Sequence, residues 1–361
     1  AGTTNDCMLK LFLHGKALDK KSDELIGVFE DILTAPALTD RKLLRDLLYE
    51  MRNDYTASII NAGHSYAMTN AASGLCLSEW VSEQIDGISQ LRFLNELVKN
   101  EAIDVLVNAM QQLHASLITR NSCRLSVTGD NPSSQASGLE RLLEKLPSEI
   151  AHPVQTAWKP AQDLSGKGIE INASVNFVGQ AWKLSSPGPQ DVGLLHLLAR
   201  NLSTGYLWDK VRVEGGAYGG MSVYSSSHPV FACGSYRDPN LAGTLTHFTD
   251  ALRFVSSDLT QDQIDQSIIG TIGRIDKPKT PHSKGFSETI ALLSGRTREY
   301  RQEVRDAVLS ATQKDLHNIS RGILEQKESA ITVLGNATSF SEAEKEGITL
   351  FREPLLKNSS S

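Results

Sequence analysis

Apolar positions recur at helical spacing over much of the chain before residue 120. Thr39 and Asp40 can cap a helix that is expected to end near Gly63, and Asn100 can cap a later one that ends near Thr119. Two more helices and two strands are predicted in this part, the helices at Asp23–Leu33 and Asn61–Ser73 and the strands at Met8–His14 and Cys123–Thr128.

Beyond residue 166 short apolar runs alternate with longer helical patterns. Strands are predicted at Gly168–Ala173, Asn176–Leu184, Tyr218–Tyr224, Pro229–Tyr236 and Ser329–Leu334. Helices are predicted at Asp191–Thr204, Tyr206–Val213, Leu241–Ser256 and Thr260–Ile275. Prolines interrupt Lys277–Gly285, which we expect to be a loop that is either solvated or faces a substrate.

The two ends of the chain resemble each other in layout. Leu113-His114 and Leu316-His317 each lie on a predicted helix that is followed by an apolar strand and a glycine. We therefore predict an α+β fold of two related domains, each an antiparallel sheet with helices packed on one face. The domains are expected at residues 1–147 and 167–361, joined by a proline-rich linker at 148–166. The first lacks strands at its start, so we expect the chain to begin inside a domain.

Composition excludes several classes of protein. Lys and Arg number 36 and Asp and Glu 42, giving a net charge of −6 that argues against nucleic acid or an anionic membrane as partner. No apolar run is long enough to span a bilayer, and no signal peptide precedes the first strand. The four cysteines include no CxxC pair, which favours a reducing compartment and a protein that is not secreted.

The histidines do not form a zinc-protease motif. No two of the nine lie closer than 19 residues apart, so HExxH and HxxEH are both absent. We therefore expect no metal ligand in this chain, and neither catalytic zinc nor peptidase activity from the chain alone.

A glycine-rich segment is the candidate site. Glycines 215, 216, 219 and 220 surround Tyr218, and Arg212 lies six residues before it. Glycines permit close backbone approach, a Tyr hydroxyl can donate to an oxyanion, and Arg can donate to peptide carbonyls or a carboxylate. The alternative is a structural turn into a hairpin, with Arg212 ion-paired to Glu214 or Asp209.

Four segments resemble one peptidase family. The stretches LLARNLSTGYLWDKVRVEGGAYGGMSVYSSSHPVFACGSYRDPN, NAGHSYAMTNAASGLCLSEW, NFVGQAWKL and IDKPKTPHSKG are similar to the C-terminal half of the presequence-protease branch of pitrilysin/insulinase zinc metallopeptidases. The resemblance covers about residues 9 to 335. It implies that this chain is the third of four related α+β domains, truncated at its start, plus the fourth.

The resemblance also implies a function. Zinc would be bound by an N-terminal half, the expected partner, and the two halves would enclose unfolded peptides such as targeting presequences. Arg212 and Tyr218 match the Arg and Tyr that the C-terminal half lends to the active site, and substrate contacts are expected at Gly215, Gly216, Ala217 and Gly219. The location would be the mitochondrial matrix or another organelle in a eukaryote and the cytoplasm in a bacterium. The alternative is a catalytically silent homologue, such as a core-type subunit of a processing peptidase or respiratory complex.

Three further positions receive structural predictions. His64 is expected to cap or pack at a helix boundary. Arg237 and Asp238 are expected to pair with each other at a turn before Pro239, and Trp208 is expected to pack in a core or linker.

Overall fold

The chain combines one six-stranded sheet with thirteen helices in the residues that the structure describes. The computed structural model describes residues 7–148, 158, 163–226 and 228–356. The first part contains α1 Ser22–Thr34, α2 Arg41–Ser73, α3 Leu77–Asp86, α4 Ile88–Lys99, α5 Ile103–Leu117 and α6 Ala136–Lys145. The second contains β1 Lys167–Glu170, β2 Phe177–Lys183, α7 Pro189–Thr204, a π-helical segment Trp208–Glu214, β3 Gly219–Tyr224, β4 Val230–Tyr236, α8 Ala242–Ser257, α9 Gln261–Ile275, α10 Pro281–Leu293, α11 Arg298–Leu309, α12 Gln313–Leu324, β5 Ser329–Gly335, α13 Ala337–Lys345 and β6 Phe351–Pro354.

The sheet is mixed, and its strands lie in the order β3-β4-β2-β5-β1-β6. The ladders β3–β4, β4–β2 and β2–β5 are antiparallel, whereas β1 pairs in parallel with both β5 and β6. The α+β class predicted from the sequence is confirmed, but the all-antiparallel sheet is wrong, because two connections return the chain to the same end of the sheet.

Helices cover both faces of this sheet, where one face was predicted. On one face α7, α8 and α12 contribute to a large core around Phe231 and Phe248, both 0% exposed. On the other face α2 lies against β2, β4 and β5. The approach is close: a Cβ atom on Gly179 of β2 would lie 2.5 Å from the backbone of Ala67 on α2. Glycine at 179 is what allows the helix to lie so near the strand.

The two predicted strands before residue 148 are absent from the structure. Residues 8–14 and 123–128 adopt no ladder pairing, although residues 329–335 of the matching segment form β5. An apolar run becomes a strand only where a neighbouring strand supplies hydrogen-bond partners, and the sheet of this structure lies elsewhere. The assignment of residues 1–147 and 167–361 to two related domains stays a prediction, and most of the 148–166 linker lies outside the described residues.

Two of the predicted helices before residue 74 are one helix with a kink. The break expected near Gly63 appears as non-helical backbone at Ala62 inside α2. Within the described ranges, no helix is long and apolar enough to cross a bilayer.

Candidate active-site surface

The candidate site begins in the π-helical segment that follows α7. The Gly215 amide donates to the Lys210 carbonyl at 3.0 Å, a bond to the fifth residue back, and the Ala217 amide donates to the Val211 carbonyl at 3.1 Å. Such wide turns are rare and occur frequently at functional sites. The short helix predicted at Tyr206–Val213 is therefore present, with π geometry, and it leads directly to edge strand β3.

The glycine turn is held by the chain's own hydrogen bonds. Gly216 has φ of +78°, a left-handed conformation that favours glycine. The Asn240 side-chain amide donates to the Gly215 carbonyl at 2.6 Å. The Gly216 amide donates to the Arg212 carbonyl at 3.1 Å, and the Ala217 methyl is buried. Consequently the amides of residues 215 to 217 are already used within the chain, and only the outer side of the turn faces solvent.

Arg212 stacks on an aromatic ring. Its guanidinium carbon lies 4.0 Å from the centre of the Trp208 ring and 5.9 Å from that of Tyr218. The ion pair considered for Arg212 does not form, since Lys210 takes Glu214 at 2.7 Å and no carboxylate of the described residues is within ion-pair distance of Arg212. A cation–π contact of this kind is worth about 0.5–1 kcal/mol at an exposed site. The guanidinium N–H groups stay available to an incoming acceptor.

Tyr218 projects from the start of the edge strand. Its backbone amide donates to the Tyr236 carbonyl at 2.9 Å, while the side chain is 67% exposed. Among the described residues nothing hydrogen-bonds to its hydroxyl. The structure thus brings Arg212 and Tyr218 together on one exposed surface, with a forked cation beside a phenol. Such a pair can donate to a peptide carbonyl and to an oxyanion.

The turn after β4 supports this surface from below. Asp238 is 0% exposed and accepts from the Thr244 hydroxyl at 2.7 Å and the Asn240 amide at 2.8 Å. Burial raises the pKa of the Asp238 carboxyl, and these hydrogen bonds oppose that rise. The predicted turn is present, but the predicted Arg237–Asp238 pair is wrong: Arg237 has φ of +50° and lies over the Tyr236 ring at 5.3 Å. Asp238 is turned inward, where it fixes Asn240 and through it the glycine turn.

The remaining predicted positions have structural roles. His64 lies inside α2 and packs against the Tyr236 ring, as the packing prediction required. The predicted loop Lys277–Gly285 is half helix, because Thr280 caps α10 and Pro281 is its first residue. No group of three His, Cys, Asp or Glu side chains that could hold a metal ion occurs in the part of the chain that the structure describes. These residues therefore do not fit a zinc ion.

Sequence reasoning missed three residues of this surface. Trp208 was expected in a core, yet it is 43% exposed beneath Arg212. The signal was available, since an aromatic residue four positions before an arginine lies on the same side of a helix. Tyr236 and Asn240 carried no comparable signal, because their contacts join segments that are distant in sequence.

Comparison with known proteins places the chain in a family. The family model of the PreP C-terminal domain matches residues 168–337, and a second model, of the region associated with subfamily C of the M16 peptidases, matches residues 1–97. Chloroplastic/mitochondrial presequence protease 1 of Arabidopsis thaliana is 30% identical over 329 residues, covering 90% of this chain and 30% of that protein. The mitochondrial presequence protease of Saccharomyces cerevisiae is 26% identical, covering 92% and 35%. The chain thus spans about a third of the length of these curated relatives.

Solved structures agree at the level of the fold. A protease from Helicobacter pylori superposes with a TM-score of 0.65 at 14% identity, covering 88% of this chain and 77% of that one. A peptidase M16 inactive domain from Pseudomonas fluorescens gives 0.56 at 14% identity, covering 94% and 77%. The family models and the presequence proteases together show that the chain belongs to the presequence-protease-like M16 peptidases and corresponds to part of their C-terminal half.

Proposed function

We propose that this chain is the non-zinc half of a zinc metalloendopeptidase that degrades unfolded peptides, such as targeting presequences, in a closed chamber. The observation that carries the proposal is the exposed pair of Arg212 and Tyr218, whose donors have no acceptor among the described residues. A purely structural surface would satisfy such groups within the chain. Here the π-helical segment and the glycine turn hold both side chains outward.

Arg212 is proposed to bind the peptide substrate. Its planar guanidinium can donate two parallel hydrogen bonds to successive carbonyls or to a terminal carboxylate. Stacking on Trp208 limits its motion before substrate arrives, which reduces the entropy lost on binding.

Tyr218 is proposed to act in catalysis. Its hydroxyl would donate a hydrogen bond to the oxygen of the scissile carbonyl as that oxygen gains negative charge. The donor is already oriented by the protein, so it costs little reorganisation at the moment of reaction. Contacts of the substrate with Gly215, Gly216, Ala217 and Gly219 are proposed for the outer side of the turn, since three of these amides are hydrogen-bonded internally.

The rest of the active site is proposed to lie in another part of the enzyme. Zinc, bound by an N-terminal half, would supply Lewis-acid chemistry, and that half is the proposed partner. This division is supported by the relatives, which are about three times as long as this chain. The names of these relatives place them in mitochondria or chloroplasts. We therefore propose an organelle as the location in a eukaryote and the cytoplasm in a bacterium.

The test compares variants of the enzyme reconstituted by adding a zinc-bearing N-terminal half. Tyr218→Phe keeps the ring and removes the donor, so kcat should fall about 10²–10³-fold with little change in KM or melting temperature. Arg212→Lys keeps the charge and loses the fork, so KM should rise at least as much as kcat falls. Tyr49→Phe, at another exposed tyrosine, is the matched control and should leave kcat and KM unchanged.

Wild-type kcat in the Tyr218→Phe enzyme would contradict the catalytic role. If both variants alter only thermal stability, the chain is instead a structural homologue of the peptidases, of the kind found in core subunits of larger complexes.

A further inference from the structure

The Tyr236 ring occupies the centre of an aromatic cluster under the candidate site. Tyr236 ends β4, and its half-buried ring lies 5.6 Å from the ring of Tyr218 at an interplanar angle of 83°. His64 lies 5.0 Å away at 70°, and Phe177 lies 5.8 Å away. Edge-to-face pairs at these distances contribute about 0.5–1.5 kcal/mol each beyond the area that they bury.

Tyr218 has few other contacts that could orient its ring. Its backbone is fixed by the hydrogen bond to the Tyr236 carbonyl, but its side chain is 67% exposed and its hydroxyl has no partner in the described residues. Arg212 approaches the same ring at 5.9 Å, yet Arg212 itself rests on Trp208 at the shorter distance of 4.0 Å. The perpendicular contact with Tyr236 is therefore the main restraint on the direction of the phenol.

The Tyr236 ring is in turn fixed from the helical part of the chain. His64 lies on α2, two residues after the kink at Ala62, and its Nδ1 atom is buried with no hydrogen-bond partner among the described residues. Burial lowers the pKa of His64, so the imidazole is neutral and packs as an aromatic ring. A neighbouring glycine, Gly63, leaves room for Phe177, because a Cβ atom there would lie 2.5 Å from the Phe177 ring.

We propose that Tyr236 is a positioning residue, whose ring, backed by His64, holds Tyr218 in the orientation from which its hydroxyl reaches the substrate. This inference rests on the proposed function of Tyr218. It makes the helical part of the chain, through α2, a contributor to the geometry of a site that lies on the sheet.

The orientation of Tyr218 can be measured without enzymatic activity. Fluorotyrosine introduced at position 218 of the 361-residue chain reports the environment and mobility of that ring by fluorine NMR. In the wild type we expect a resonance shifted away from that of free fluorotyrosine and broadened by the fixed surroundings. Tyr236→Leu should return the resonance towards the free position and narrow it, whereas Tyr236→Phe, which keeps the ring, should leave it as in the wild type. His64→Ala should produce a smaller change in the same direction.

The kinetic arm uses the reconstituted enzyme. Tyr236→Leu should lower kcat by about 2- to 12-fold, which corresponds to the loss of one aromatic pair, while KM stays within about twofold. Tyr236→Phe should restore kcat, which a general loss of stability would not explain. If Tyr236→Leu fails to fold, judged by circular dichroism, His64→Ala carries the same test with an intact β4.

An unchanged fluorine resonance in both Tyr236→Leu and His64→Ala would overturn the positioning role. A resonance that moves in these variants, while Tyr218→Phe retains wild-type kcat, would leave the packing relation standing and reject the catalytic role of the hydroxyl. The two failures are therefore distinguishable.

Discussion

The sheet-containing part and the helical part of the chain bury their apolar side chains differently. Between residues 163 and 356, helices such as α7 cover a continuous core in which Leu198 and Phe231 are 0% exposed. Between residues 7 and 148, α5 leaves Val105 and Leu113 in solvent, at 65% and 57% exposure. The helical part has smaller clusters of its own, such as the one formed by Leu44, Leu94 and neighbouring residues.

The difference shows that the sheet supplies the core for both parts. Helix α2 obtains its buried face by lying on β2, and two polar links add to this docking. Thr332 of β5 donates to the Asn70 side chain at 3.0 Å, and Arg92 of α4 donates to the carbonyl of Leu355 at 3.0 Å and to Glu353 at 3.1 Å. The helical part therefore depends on the sheet more than the sheet depends on it.

The largest expected effect separates the two parts directly. Leu198→Ala opens a cavity under the sheet and should lower the free energy of unfolding by about 2–5 kcal/mol. Leu113→Ala removes a side chain that is mostly in water, so the change should stay within about 0.5 kcal/mol. Chemical denaturation of the two variants gives both values. Similar losses would mean that α5 is buried to the same degree as α7, contrary to this comparison.

The contact between the parts is tested by a pair of glycines. Gly179→Ala places a Cβ atom 2.5 Å from the rigid backbone of Ala67, so α2 must shift and stability should fall by about 1–3 kcal/mol. Gly234→Ala on the adjacent strand meets the Met68 sulfur at 2.7 Å, and that flexible side chain can move aside. Melting curves should therefore place Gly234→Ala closer to the wild type, and the reverse order would show that α2 docks differently.

The smallest effect concerns a buried carboxylate in the helical part. Glu83 is 2% exposed; its Oε1 accepts from Asn70 at 2.9 Å and from the Ser89 amide at 3.0 Å, and burial raises the pKa of its carboxyl. The folded state therefore binds the proton more tightly than the unfolded state, and stability is lost as pH rises from the ordinary value of 4.5 through the raised pKa.

Glu83→Gln keeps the accepting oxygen and removes this loss. The stability of the variant relative to the wild type should increase between about pH 5 and pH 8, as measured by urea denaturation at each pH. Glu50→Gln at an exposed position of α2 should show no such trend. A constant difference between Glu83→Gln and the wild type would mean that Glu83 is not held in a dry site.

The sequence alone determined the local features of this protein. The alternation and helical spacing beyond residue 166 predicted β2, β4, β5 and the helices α7 to α9, because those patterns depend on neighbours a few residues away. The six-residue spacing of Arg212 and Tyr218 around the glycine turn was visible for the same reason, and the structure places the two side chains together.

Only the tertiary structure decided the contacts between distant segments. Cys123–Thr128 has the apolar pattern of a strand but forms none, because a strand needs a ladder partner that the local sequence cannot specify. The docking of α2 on the second face of the sheet depends on Gly179 meeting Ala67, more than a hundred residues earlier in the chain. The same applies to the ring of Tyr236 between His64 and Tyr218: their side chains meet because the folded backbone brings them within about 6 Å, a distance at which aromatic rings attract.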